Sequence, residues 1–240
     1  MADLSFLETE PGTLQAIDLW YEAQRTHRGY LGLSQAGHDC PRWLWYQSHG
    51  YTGSEIEGRV LRLFQMGNMV EDQVVADLRA CGFTVRDQQR EVVFTQDGVR
   101  LVGHIDGIVE GLIESPATPH LFECKSANKK KFDELKKLGS YRKWNSVYFW
   151  QLQFYMLGLK LTRAAVFVYC KDDSRMYLER LKLDKEATIE RLQSIFTSIS
   201  AATPPGRLCK RADAWQAKFC SFCGPCWNNG VRGVRQAGEW

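Results

Sequence analysis

The segment GHIDGIVEGLIESPATPHLFECKSA, residues 103–127, decides how the chain folds. It reads as two apolar strands separated by a proline-rich turn at residues 115–119. Each strand carries charge where a plain core strand has none. Asp106 stands among Ile105, Ile108 and Val109, with glycines at 103 and 107 leaving room for backbone or ligand to approach. In the second strand, Glu123 and Lys125 are two residues apart. Period-two geometry puts them on one face and turns Phe122 and Cys124 to the packing. If the strands pair as an antiparallel hairpin, Asp106 and Glu123 meet at one end. Two converging carboxylates repel unless a cation sits between them. Magnesium and manganese favour such oxygen ligands, and a lysine beside them can orient a water for phosphodiester hydrolysis. Alone, an aspartate or an E-x-K reads as a turn cap or a surface ion pair; the conjunction points to chemistry.

Working outward, apolar spacing predicts a helix over 13–28. PRWLWYQSHG reads as a short helix with Pro41 in its first turn, and Ser34 upstream is an N-cap candidate. A long helix is predicted over 55–81, interrupted by Gly67, where a kink or close contact is expected. Strands follow at 83–89, 90–95, 99–113 and 120–127, then a helix at 130–138 and a loop through Trp144. Residues 147–159 read as a largely buried helix, 164–170 and 175–183 as strands, and Asp184 caps a further helix. Pro204, Pro205 and Gly206 open a cysteine-rich tail. This order predicts an α/β fold, a mixed sheet flanked by helices.

With 240 residues, 44% hydrophobic and 25% charged, the composition is that of an ordinary globular protein. No apolar run reaches membrane-spanning length, and the first residues lack a basic then apolar leader, so the expected location is the cytoplasm. A net charge of +3 does not by itself imply nucleic acid. The charge is unevenly placed, however: Lys129, Lys130, Lys131, Lys136, Lys137, Arg142 and Lys143 crowd into fifteen residues directly after the Glu123 strand. Interleaved with Tyr141 and Trp144, they suit a phosphate-contacting wall with stacking platforms for single strands. A solvated amphipathic helix is the plainer reading of the same run.

GHIDG, FECKS and the later Gln151-Leu-Gln-Phe-Tyr155 resemble the PD-(D/E)XK nucleases, in particular their RecB-like branch, over most of residues 30–227. The resemblance implies a restriction-endonuclease-like core in which Asp106 and Glu123 bind magnesium or manganese, with the carbonyl of Cys124, and Lys125 positions the attacking water. Gln151 and Tyr155 are i and i+4, on one helix face. The resemblance implies that they touch the DNA strand and support the active site; a buried hydrogen bond is the alternative. It also places a further ligand on the earlier helix after a glycine, here Glu71 after Gly67, with Asp72 as rival. His38 and His104 lack a second histidine at metal spacing and read as structural.

Of eight cysteines, Cys220, Cys223 and Cys226 stand at C-x-x-C-x-x-C spacing, which lets one turn of chain aim several thiolates at one centre. The fourth ligand must come from elsewhere, and Cys40 in LSQAGHDCPRWLWY is the candidate. That segment is similar to RecB-like nucleases with a 4Fe–4S cluster, such as AddB nuclease domains and the four-cysteine CRISPR-adaptation nucleases. The resemblance implies a cluster that staples the two ends of a nuclease domain spanning 30–240, by Cys40 and the 207–227 region, with 1–29 as a helical extension. The chain departs from that pattern, because Ala217 stands three before Cys220; Cys223 or Cys209 must supply the remaining ligand. Zinc is the competing metal. Cys81, Cys124 and Cys170, in apolar surroundings, are expected in the core.

The expectation is a magnesium- or manganese-dependent deoxyribonuclease, an exonuclease rather than a sequence-specific cutter, acting on DNA ends or single strands. Recombination, repair, CRISPR adaptation and phage DNA processing, in host cytoplasm for a phage protein, are its settings, with protein partners from such complexes. A non-catalytic nucleic-acid-binding accessory protein of the same fold is the alternative.

Overall fold

The computed structural model describes residues 12–24, 30–51, 53 and 56–227. Four helices come first: α1 (Thr13–Ala23), α2 (Leu33–Ala36), α3 (Pro41–Ser48) and α4 (Gly58–Ala80). Strands β1 (Thr84–Arg86), β2 (Glu91–Gln96), β3 (Val99–His104), β4 (Gly107–Glu110) and β5 (His120–Ala127) follow. Then come α5 (Lys129–Leu138), α6 (Tyr141–Trp144), α7 (Ser146–Leu159), β6 (Arg163–Cys170), β7 (Met176–Lys182), α8 (Lys185–Ile199), α9 (Trp215–Lys218) and α10 (Cys223–Trp227).

The central sheet is mixed and five-stranded, in the order β1-β4-β5-β6-β7, and β2 and β3 form a separate hairpin. Only β5 and β6 run parallel. A parallel pair needs a long crossover, and α5, α6 and α7 supply it. Alternation along β5 and β6 then feeds two cores. Leu121, Val166 and Val168 pack with Leu152 and Phe154 of α7. Phe122, Cys124, Ala165 and Phe167 pack with Val74, Val75 and Leu78 of α4. Helices therefore cover both faces, as an interior strand apolar on both sides requires. Helix α7 is buried over six consecutive residues, 151–156, because α8, α2, the β2–β3 hairpin and the sheet surround it.

Where the structure departs from the sequence expectation, tertiary pairing is the reason. The strand expected over 99–113 is two strands in different sheets. Ile105 still belongs to the hairpin side: its N–H donates to the Arg90 carbonyl, and its own carbonyl accepts the N–H of Gln89. The chain then turns at Asp106 and, from Gly107, pairs with β1 and β5. A Cβ on Gly107 would stand 3.2 Å from the Arg86 carbonyl oxygen, so a glycine lets β1 close on β4 without crowding. The strand expected over 83–89 keeps only residues 84–86. Ser34 lies inside α2, whose cap position is Gly32. Helix α4 runs unbroken through Gly67, where an added Cβ would meet only the Ser126 hydroxyl, at 3.9 Å. The loop expected through Trp144 holds α6, with Ser140 Oγ accepting the Lys143 N–H at 3.4 Å. Residues 25–28 of the first expected helix lie outside the described residues. Cys124 and Cys170 are buried as expected, but Cys81 is exposed at the end of α4.

Candidate active site

The antiparallel register of β4 and β5 pairs Gly107 with Phe122. One residue further, Asp106 comes beside Glu123. The β4 ladder stops there, while β5 continues to Ala127 with β6 along its other side. Asp106 Oδ2 takes over the freed edge and accepts the Cys124 N–H at 2.8 Å. Helix α4 crosses this edge, with Gly67 over Ser126 and Glu71 one turn further along. Glu71 is half-buried and faces the site, whereas Asp72 is exposed. Their difference is helix phase: Glu71 shares its stripe with Val74, Val75 and Leu78, the buried residues of α4.

Three carboxyl groups thus approach one lysine, and each is pushed toward its neutral form. Burial, reinforced by Asp106, raises Glu123 to about 8. Burial and then Asp106 raise Glu71 to about 7. Burial raises Asp106 as well, against the opposing pull of Lys125 and the Cys124 N–H. Burial works against the Lys125 ammonium, yet Glu123 and Asp106 outweigh it and hold its pKa well above the ordinary value. Lys125 forms an ion pair with Glu123 Oε1, though not in hydrogen-bond alignment, and Glu123 Oε2 is buried without any partner. Among the described residues, no three His, Cys, Asp or Glu side chains stand close enough together to cage a metal ion as they are. The donor set itself is that of a hard divalent cation: carboxylate oxygens that repel one another, one of them bare.

The face of the site opposite α4 is aromatic. The Lys125 Nζ lies 5.2 Å from the centroid of the Tyr148 ring. Tyr141 is fully buried, so it is not a stacking platform for bases; its phenol interacts electrostatically with Lys125 and Glu123 instead. Trp144 is tied down by donating its indole N–H to the Lys131 carbonyl at 3.0 Å. Gln151 and Tyr155 are both buried, and the Tyr155 phenol feels Glu123, Lys125 and the neighbouring Gln151. Both lie beneath the surface, Gln151 at 4% and Tyr155 at 1% exposure. Gly103 makes room for them: a Cβ there would fall 2.5 Å from the Tyr155 hydroxyl oxygen. Tyr148 is the residue of this face that sequence reasoning misses. Its spacing to Gln151 and Tyr155, i, i+3 and i+7, is the signal that could have found it.

Helix α3 and the C-terminal tail interlock in a separate cluster. Trp45, Tyr46 and Phe222 form a small core, with Cys220 and Cys226 packed against it. Trp43 Nε1 donates to Ser221 Oγ at 3.1 Å and the Tyr46 hydroxyl donates to the Pro225 carbonyl at 3.1 Å. Burial pushes the Cys220 thiol up, and Cys40, Cys226 and Cys223 push it the same way. His38 is structural here, its Nδ1 accepting the Cys40 N–H at 3.0 Å and its ring stacked on Trp43.

The basic run begins where β5 ends. Lys129, Lys130 and Lys131 are exposed on the first turn of α5, and Arg142 and Lys143 are exposed on α6. Lys129 pairs with Asp133 and Lys131 with Glu134, exposed pairs worth little and easily exchanged for a phosphate. The Arg142 guanidinium lies 4.8 Å from the Phe149 ring centroid. Among the described residues, no helix is long and apolar enough to cross a membrane.

No protein-family model matches the chain, and no curated protein matches it by sequence. By fold it is similar to the crystal structure of SSO0001, at a TM-score of 0.49 and 14% identity, over 89% of this chain and 96% of that one. An alkaline exonuclease (LHK-Exo) from Laribacter hongkongensis matches at 0.49 and 18%, over 75% of this chain and 90% of that one. A phage-related exonuclease from Haemophilus somnus 129PT matches at 0.39 and 14%, over 57% and 68%. Likenesses this distant carry no weight for function.

Proposed function

We propose that this protein is a metal-dependent deoxyribonuclease that degrades DNA from ends or as single strands. The observation that carries the reading is the meeting of Glu71, Asp106 and Glu123 with Lys125 at the edge freed where β4 stops. Glu71, Asp106, Glu123 and the carbonyl of Cys124 would hold magnesium or manganese. When bound, the ion supplies a more acidic water and neutralises charge on the leaving oxygen. Lys125 orients the attacking water and balances charge developing on the phosphate. Asp106 has a second task, since its bond to the Cys124 N–H fixes the backbone on which Glu123 and Lys125 ride. Gln151 and Tyr155 hold the floor beneath them. Lys129, Lys130, Lys131, Arg142 and Lys143 lead the strand's phosphates away from the site without reading its sequence.

Cys40, Cys220, Cys223 and Cys226 are the set for a 4Fe–4S cluster, with zinc as the competing occupant. The raising of Cys220 by Cys40, Cys223 and Cys226 supports this set. Their role is to tie α3 to the tail, away from the cleavage chemistry. Recombination, repair, CRISPR adaptation or phage DNA processing in the cytoplasm, with protein partners, are settings for such an enzyme.

Anaerobic purification, metal analysis and digestion of end-labelled single- and double-stranded DNA test the reading together. Cleavage is expected with magnesium or manganese, to stop on chelation, and to fall by about 10² to 10³-fold in Lys125→Ala. A wild-type protein with intact cluster that cuts neither substrate, or a Lys125→Ala variant as active as wild type, rejects it.

A further inference from the structure

Helix α4 holds two large apolar side chains in solvent, Met66 at 48% and Met69 at 61% exposure. With Val70 and Gln73 they form one stripe, i, i+3, i+4 and i+7, beside the one that holds Gly67 and Glu71. The stripe walls a cleft of about 220 Å³, faced by Tyr169 near the end of β6 and by Lys171 just past it. Apolar side chains exposed together around a concavity mark a binding site. Pockets for drug-sized ligands run to about 300–1,000 Å³, so this one suits a single flat ring system.

The cleft adjoins the catalytic strand. Tyr169 pairs in register with Ser126, the residue after Lys125. The Lys171 N–H donates to the Ala127 carbonyl at 2.9 Å. Gly67 brings α4 over Ser126, and Glu71 follows Val70 on the same helix. The cleft therefore lies at the C-terminal end of β5, where the exposed Lys129, Lys130 and Lys131 begin α5. The acids next to Lys171 are engaged elsewhere: Asp172 accepts the Lys129 N–H at 2.8 Å, and Asp173 pairs with Arg175. Among the described residues Lys171 itself has no ion-pair partner. Apolar walls with a tyrosine ring, beside an ammonium, match a flat heterocycle that carries a phosphate.

We propose that this cleft is a subsite for one unpaired nucleobase of the strand under cleavage, held between Tyr169 and the Met66–Met69 stripe with a phosphate on Lys171. This rests on the nuclease reading and narrows its substrate, because a base can enter only once it is out of a duplex. Flexible thioethers mould to purine and pyrimidine alike. The subsite thus selects single-stranded or frayed DNA without selecting sequence.

The test is the double variant Met66→Ser with Met69→Ser, at exposed positions where packing is not at stake. Cleavage of labelled single strands, each with one abasic residue at a different position, locates any base the protein grips. In wild type one position relative to the cut should slow cleavage by about tenfold when abasic, the loss of one stacked base. In the double variant KM should rise by about tenfold on the intact strand, with a smaller change in kcat, and no abasic position should matter further. An oligonucleotide carrying 5-iodouracil, irradiated on wild-type protein in chelating buffer, should crosslink to Tyr169, Met66 or Met69 on peptide mass spectrometry. A wild-type KM in the double variant, or crosslinks confined to other residues, overturns the proposal. So does a wild-type dimer on gel filtration that the double variant dissolves, which gives the cleft to a second copy. If wild type cleaves no DNA, the nuclease reading fails and crosslinking alone decides: adducts on these three residues uphold the subsite, and their absence overturns it.

Discussion

Replacing Glu123 with glutamine should stabilise the metal-free fold while removing its chemistry. Glu123 has no exposed surface. Burial, with Asp106, lifts its carboxyl from the ordinary 4.5 to about 8. A displacement of that size separates the ionised from the neutral form by on the order of 5 kcal/mol. Because the folded value lies above the free one, neutral Glu123 favours the fold fully below about pH 4.5, and that contribution is lost as the pH rises through about 8. Glutamine has the same shape and does not ionise, so its advantage opens above about pH 4.5 and is complete beyond about pH 8. Lys125 loses an ion-pair partner in the exchange, but its pull on the carboxylate is already part of that balance, and Asp106 still faces it. The gain at alkaline pH is then on the order of 5 kcal/mol. Urea unfolding with a chelator present, from acid to alkaline pH, measures it through the fluorescence of the eight tryptophans. Cleavage of labelled DNA with manganese should fall by about 10² to 10³-fold in the same variant. A glutamine variant less stable than wild type at the alkaline end, or one that cleaves at the wild-type rate, would refute the picture of mutually repelling carboxylates in a cation site.

Gly103→Ala brings a Cβ to 2.5 Å from the Tyr155 hydroxyl oxygen and 2.9 Å from the Leu33 Cβ. Thermal denaturation should show a loss of about 1–3 kcal/mol, typical of overpacking, with a drop in cleavage because Tyr155 is displaced. Cys40→Ala and Cys220→Ala should lose iron on elemental analysis of anaerobically purified protein, while Cys209→Ala retains it; the reverse pattern would move the ligand set. Lys130→Ala with Arg142→Ala should weaken single-stranded DNA binding alike for all sequences. The slope of log affinity against log salt should flatten by about 0.7 for each phosphate no longer neutralised, as read by fluorescence anisotropy across a salt series.

Much of this architecture is legible in the sequence because the sheet alternates cleanly and its turns carry proline and glycine. Period alone assigns Glu123 and Lys125 to one face and Cys124 to the other. Choosing Glu71 over Asp72 is within reach too, since only Glu71 keeps step with the buried valines and Leu78 of α4. The break at Asp106 is hidden because Ile105 and Ile108 sustain an apolar strand across it. Its position depends on bonds to Arg90 and Gln89, which no local window contains. Tyr141 is hidden for the same reason. An aromatic flanked by lysines and arginine looks like surface, and what buries it is a strand whose Glu179 lies 38 residues downstream. The tail's two short helices, α9 and α10, have too little periodicity to announce themselves.

The interlock of α3 with the tail sets an order of events during synthesis. Trp45 donates to the Ala201 carbonyl across 156 residues, and Tyr46 to the Pro225 carbonyl across 179. Trp43, Trp45 and Tyr46 therefore leave the ribosome with their partners still untranslated, for on the order of ten seconds or more at cellular elongation rates. Through that interval the nascent chain presents an adhesive aromatic segment to every chaperone and neighbouring polysome, while the strands of the central sheet are still emerging. A chain stopped before the tail is made would therefore hold a formed sheet beside an uncovered α3, whose aromatic side chains are open to proteolysis.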